Sequence, residues 1–212
     1  MNPLRELDRE LSRRLTPAVR IILYVNVAVH LLGLFGLADW LYKWFSEYAP
    51  LTLGRFQIWR LVTHMFLHGS GWHLVFNMLI LWFFGPPLER RLGSRHFLRF
   101  YPIAGVGAGL VHAAVMLLPF TRVHPMVGAS GALMGVLFAM AAFDPHRPVI
   151  FFIFPMKMWT LVALFMAIDV LGLVERRDNV SNLTHLAGAA VAYVYFGLRL
   201  RCWDVRRWRW LV

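Results

Sequence analysis

The sequence predicts an all-α polytopic membrane protein of six transmembrane helices, and three observations carry that expectation. Of its 212 residues, 59% are hydrophobic and only 16% charged, against roughly half and roughly a quarter in ordinary soluble domains. Apolar runs recur at 21–39, 72–88, 98–119, 129–143, 149–174 and 183–200, most of them near the roughly 20 residues that cross a bilayer. The formal charge of +11 gathers at the ends of those runs. Six spans take up about 120 residues, so no separate soluble catalytic domain is expected and any chemistry must come from the spans themselves. Disorder and a collagen-like repeat are excluded by the apolar content, and a disulfide framework by Cys202 standing alone.

The first 20 residues read as a cytoplasmic segment, with Leu4, Leu7, Leu11 and Leu15 at the spacing of a helix lying on the membrane surface. Glu6, Asp8 and Glu10 among its arginines are unlike a secretory or transit peptide. After the first run, the segment 40–71 carries Trp40, Tyr42, Trp44, Tyr48 and Trp59, whose amphipathic rings suit the headgroup layer. A membrane-associated outer loop between helices 1 and 2 is therefore expected. Arg90, Arg91, Arg95 and Arg99 mark an inner connection between the second and third runs. Small residues are dense in 104–109 and 128–135, where helices pack closely. The fourth run is short for a span, so its start is expected below the surface, reached by a dipping loop over 119–128. The fifth run follows Arg147 and encloses Lys157. The sixth leads into a basic and aromatic cytoplasmic tail, 201–212, with Trp203, Trp208, Arg209 and Trp210.

With the N-terminus inside, the inner segments hold sixteen Lys and Arg and the outer ones six. That bias puts both termini in the cytoplasm and requires an even number of spans. A basic chain also invites a nucleic-acid reading. Charges confined to helix flanks do not form a groove-tracking stripe, so the expected partner is the lipid bilayer and not nucleic acid.

Polar residues inside a span are costly, so each is a candidate for function. Ser130 lies in Gly128-Ala129-Ser130-Gly131 at the start of the fourth run. A serine at a helix N-terminus meets free backbone N–H groups and the positive end of the dipole, which suit a developing oxyanion. The alternative is close packing through Gly131 and Gly135, a small-xxx-small pair. His185 lies just inside the sixth run. It is either a hydrogen-bonded buried histidine or, since runs four and six both start at the outer side, a general base at the depth of Ser130. His73 and Asn77 are four residues apart on one helical face. Their N–H groups either hold a carbonyl oxyanion or join helices as polar glue. His64, His68 and His73 admit a metal reading, but no HExxH, carboxylate or thiolate accompanies them, so neither metal nor cofactor is expected. Asp169, one to two turns below the outer end of the fifth run, either orients His185 or makes a structural hydrogen bond.

Over about 20–200 the chain resembles the rhomboid family of intramembrane serine proteases. Trp59–Arg60, His73-x-x-x-Asn77, Glu89-Arg90-Arg91-Leu92-Gly93, Gly128-x-Ser130-Gly131 and His185-x-x-Gly188 carry the resemblance, in that order. It implies a six-helix rhomboid-like bundle over 21–200 and a Ser–His dyad without an acidic third member. Ser130 would be the nucleophile, and His185 the base and then the acid. His73, Asn77 and the Ser130 N–H would form the oxyanion hole. The implied substrates are single-pass membrane proteins whose unwound segment enters from the outer side, where a cavity admits water. The chain departs from the family at Met134, where an aromatic commonly stacks on the histidine, at Thr184 and at Ala192. A bacterial inner membrane with no extra cytosolic domain is the expected setting. The competing reading is a catalytically silent rhomboid-like protein that binds membrane clients. A transporter fits less well, because the polar residues gather at one side and trace no path across.

Overall fold

The computed structural model describes residues 14–119, 121, 123–151, 153–174 and 179–200. The stretch containing Leu4, Leu7 and Leu11 and the tail 201–212 lie outside these residues. Leu15, the last of the four spaced leucines, is buried in the core.

Helix α1 spans Pro17–Leu32, with Pro near its start where the missing N–H costs nothing. It does not stop where the first apolar run stops. A π-helical turn over Gly33–Leu37, with Gly36 at φ 95°, kinks the path into α2, Ala38–Phe45. The segment expected as an outer loop is thus largely structured: α2 is followed by single turns α3 (Ala49–Thr52) and α4 (Arg60–Thr63) and a 3₁₀ turn at His64–Phe66. Trp40 and Trp44 on α2 are exposed, as rings resting in headgroups would be.

Helix α5 spans Gly71–Leu92 and α6 spans Ser94–Met116. The expected inner loop is therefore a single residue. Gly93 has φ 77°, a conformation that costs little only without a Cβ, and its N–H closes α5 on the Glu89 carbonyl at 2.7 Å. The Glu89 carboxylate, 1% exposed, secures the corner. It accepts the Ala18 and Val19 N–H groups at 2.9 Å, the Ser94 hydroxyl at 2.6 Å and the Thr16 hydroxyl. One side chain thereby meets two open N–H groups at the start of α1 and holds the first side chain of α6.

Helix α7, Ser130–Phe143, is buried along nearly its whole length and packs against α5, α6 and two later helices. Residues 148–157 correct the all-α expectation and the start of the fifth run. Pro148–Phe151 (β1) and Phe154–Lys157 (β2) form an antiparallel hairpin, with Pro148 opposite Lys157 and Phe151 opposite Phe154. Two prolines and a β-branched, aromatic run oppose helix there despite the apolar content. Helix α8 then spans Met158–Val174 and α9 spans Asn179–Leu200. Among the described helices, the α1–α2 path, α5 and α6 are each long and apolar enough to cross a membrane on those criteria alone.

Small residues draw α6, α7 and α9 together. A Cβ at Gly131 would lie 2.5 Å from Ala108 Cβ, one at Gly135 2.8 Å from Ala104 Cβ, and one at Gly188 1.9 Å from the Gly131 carbonyl oxygen. Gly131 and Gly135 therefore serve close packing whatever else the region does. Ala192, a departure from the family pattern, is fully buried in the same interface.

Candidate active site

Ser130 is the first residue of α7, so its N–H and those of the next residues have no acceptor within the helix. The approach to it is built from the segment between α2 and α5. Glu47 and Met126 exchange backbone hydrogen bonds at 3.0 and 2.8 Å, and the Gly128 N–H donates to the His64 carbonyl at 2.9 Å. Gly128 has φ 119°, and a Cβ there would sit 2.7 Å from the His73 ring and 3.7 Å from Asn77 Nδ2. Glycine at this position keeps open the space between the start of α7 and the polar face of α5.

His185, on α9, brings Nε2 to 2.9 Å from Ser130 Oγ. The two residues are 55 apart in sequence and both half-buried. On the other edge of the ring, Nδ1 lies 3.0 Å from Asp169 Oδ1, which α8 supplies. His73 and Asn77 line the same cleft, of about 370 Å³, as Ser130, Asp169 and His185. Asn77 is buried, and its Nδ2 has no hydrogen-bond partner among the described residues. An unmet amide donor beside a hydroxyl–imidazole pair is suited to an oxygen that arrives with a substrate. The Ser70 hydroxyl accepts the His73 N–H at 3.1 Å, fixing the first turn of α5 on which this face is built.

A second cavity, of about 170 Å³, meets the first at Ser130 and His185 and is lined by His64, Met126 and Thr184 among others. His64 carried only a metal reading in the sequence; its place beside Ser130 had no signal in spacing or composition. Burial pushes the His64 imidazole down to about 4. His68 is pushed down to about 3, by burial first and then by neighbouring His73 and His30. His68 and His73 meet edge to face, with ring centroids 5.0 Å apart. Among the described residues, no three His, Cys, Asp or Glu side chains gather as a metal site.

Trp59, Arg60 and Arg91 line neither cavity. Trp59 Nε1 donates to the Trp44 carbonyl at 3.1 Å. Arg60, 1% exposed, donates to the Lys43 and Ser46 carbonyls and to Gln57 Oε1, each at 2.7 Å, closing the C-terminal end of α2. Arg91 stacks its guanidinium over Phe143, 4.7 Å from the ring centroid, tying α5 to the C-terminal end of α7. Met134 lines the cleft with His185, and the Thr184 hydroxyl donates to the Ser181 carbonyl at 2.7 Å.

Residues 55–202 match the Rhomboid domain family model. The chain is 32% identical over 133 residues to the mitochondrial Rhomboid protein 1 of Saccharomyces cerevisiae, covering 61% of this chain and 38% of that protein. It is 30% identical over 190 residues to Rhomboid protease GlpG of Serratia proteamaculans, covering 88% of this chain and 60% of that one. With Rhomboid protease GlpG of Yersinia pestis the identity is 29% over 150 residues, or 71% and 49% of the two chains. The matched region thus spans between 38% and 60% of the length of these relatives.

Proposed function

This chain belongs to the rhomboid family, and from that premise we propose that it is an intramembrane serine endopeptidase. The observation that carries the reading is the 2.9 Å hydrogen bond between Ser130 Oγ and His185 Nε2 at the N-terminus of a buried helix. The Ser130 hydroxyl attacks the scissile carbonyl as His185 Nε2 takes its proton. The resulting oxyanion is met by the Ser130 N–H, by Asn77 Nδ2 and by the His73 imidazole. His185 then returns the proton to the leaving amine, and water hydrolyses the acyl-enzyme by the same route. Substrates are transmembrane proteins, whose helices unwind locally so that an extended segment reaches the cleft between α5 and α8.

In this reading α1, α5, α6, α7, α8 and α9 cross the membrane. The arginines of the inner flanks keep both termini in the cytoplasm, and the site opens to the outer side. The GlpG relatives favour a bacterial inner membrane. The test is cleavage of a single-pass substrate in liposomes by the wild type, Ser130→Ala and His185→Ala. A serine-directed fluorophosphonate should label the wild type and not Ser130→Ala. Cleavage that persists in either variant rejects the dyad; client binding without cleavage or labelling in the wild type indicates the silent relative.

A further inference from the structure

We propose that Asp169 is a positioning residue for His185, holding the imidazole in the one tautomer and orientation that can accept the Ser130 proton. The proposal rests on the serine-protease reading above and departs from the dyad without an acid that the family resemblance implies. The two ring nitrogens of His185 face chemically different partners. Nδ1 lies 3.0 Å from a carboxylate oxygen and Nε2 lies 2.9 Å from a hydroxyl. An ionised carboxylate only accepts hydrogen bonds, so Nδ1 must carry the hydrogen and Nε2 must present its lone pair to Ser130. When Nε2 takes the serine proton, the new positive charge sits next to Asp169, which stays ionised and gains nothing covalently.

The placement of the acid is costly enough to need a reason. Asp169 is the only ionisable residue of α8 and is buried. A buried carboxylate in an apolar helix is retained only when something pairs with it. The helix register is set for this pairing. One turn toward the α8–α9 connection, a Cβ at Gly172 would lie 2.0 Å from Asn182 Nδ2. Gly172 thus faces the Asn182 side chain across the α8–α9 contact, and the same offset of three residues on each helix leads back to Asp169 and His185. Among the described residues, the other titratable groups lining the two cavities are His73 from α5 and His64 from the segment before it. Neither stands on the Nδ1 edge in place of Asp169.

A purely structural hydrogen bond between α8 and α9 would stabilise the bundle without controlling the tautomer, and two readouts separate the roles. In the full chain, labelled with ¹⁵N-histidine and reconstituted in lipid, the His185 signals are identified by their loss in His185→Gln. The wild type should show a protonated Nδ1 and a bare Nε2. Asp169→Ala should give mixed tautomers, and Asp169→Asn, whose amide can donate to Nδ1, should favour the opposite one. In proteoliposomes kcat should fall roughly ten- to a thousandfold in Asp169→Asn with little change in KM, and Asp169→Glu should recover part of it. An unchanged His185 tautomer in Asp169→Ala, or full kcat in Asp169→Asn, overturns the proposal. If the wild type neither cleaves nor takes up the fluorophosphonate, the protease reading fails, and the tautomer measurement still decides the role of Asp169.

Discussion

Gly188→Ala tests whether the approach of two helices sets the Ser130–His185 hydrogen bond. A Cβ at 188 would lie 1.9 Å from the Gly131 carbonyl oxygen, 2.7 Å from its carbon and 3.2 Å from its Cα. All three atoms are backbone of the first turn of α7, so no rotamer change relieves the overlap. An acceptable carbon–oxygen contact is about 3.4 Å, so α9 must withdraw from α7 by about 1.5 Å. His185 lies one turn away on the same helix and moves with it. Its 2.9 Å contact with Ser130 then passes the limit of a hydrogen bond. A misplacement of about 1 Å costs on the order of a hundredfold in rate, and forced overpacking costs about 1–3 kcal/mol in stability. Initial rates on a fluorogenic transmembrane substrate in liposomes, with thermal unfolding of the same samples, measure both. Gly69→Ala is the control, since a Cβ there meets no atom within 4 Å; it should keep wild-type rate and stability. Wild-type cleavage and unfolding in Gly188→Ala would show that α7 and α9 are not in backbone contact, and the packing argument would fall.

Three further outcomes are expected. Asn77→Ala or His73→Ala should lower kcat by roughly ten- to a thousandfold while the chain stays folded; unchanged turnover in both would remove them from the oxyanion site. Glu89→Ala strips a buried acceptor from two backbone N–H groups and two hydroxyls, and should cost about 2–4 kcal/mol in chemical unfolding without altering fluorophosphonate labelling per folded molecule. An unaffected unfolding midpoint would mean that other groups or water replace the carboxylate. His64 titrates near 6.5 when unfolded and near 4 when folded, so the unfolded chain binds the extra proton and stability falls as pH drops from about 6.5 toward 4. His64 alone accounts for about 3 kcal/mol of that loss, and His64→Gln should flatten the pH dependence of the unfolding temperature.

The helices were legible because a bilayer span imprints length and apolar content on consecutive residues. The exceptions mark where a single residue overrides composition. Positive φ at Gly93 replaces an expected loop with a one-residue corner, and the prolines at 148 and 155 turn the start of an apolar run into a hairpin. Ser130, His185, His73 and Asn77, which the structure gathers around one cleft, could be singled out because each breaks an apolar pattern near the start of a helix. The role of Asp169 was left open, since its distance to His185 depends on how closely α8 and α9 approach, which the spacing along either helix does not encode. The buried pair of Glu47 and His112 left no signal at all. Its members lie 65 residues apart, one in a segment read as loop and one in a segment read as span.

The shortness of α7 explains why residues so far from Ser130 belong to the family pattern. Its 14 residues make a helix of about 21 Å, less than the roughly 30 Å hydrocarbon core. On the proposed function, the shortfall leaves the free N–H groups at its start below the membrane surface, where they are most useful to an oxyanion and most expensive to leave unmet. The loop that reaches them must therefore be held in place from outside. Arg60 grips the Ser46 carbonyl, the next residue Glu47 pairs with Met126, and two residues later Gly128 hangs from the His64 carbonyl beside Ser130. A buried arginine that touches none of the reacting groups is thus linked to the approach to the serine through one side-chain hydrogen bond and the backbone bonds that follow it. If the chain is the protease proposed above, loop 126–128 admits substrate only to the extent that this chain of contacts yields, so the rigidity of this segment and access to Ser130 are opposed properties of one structure.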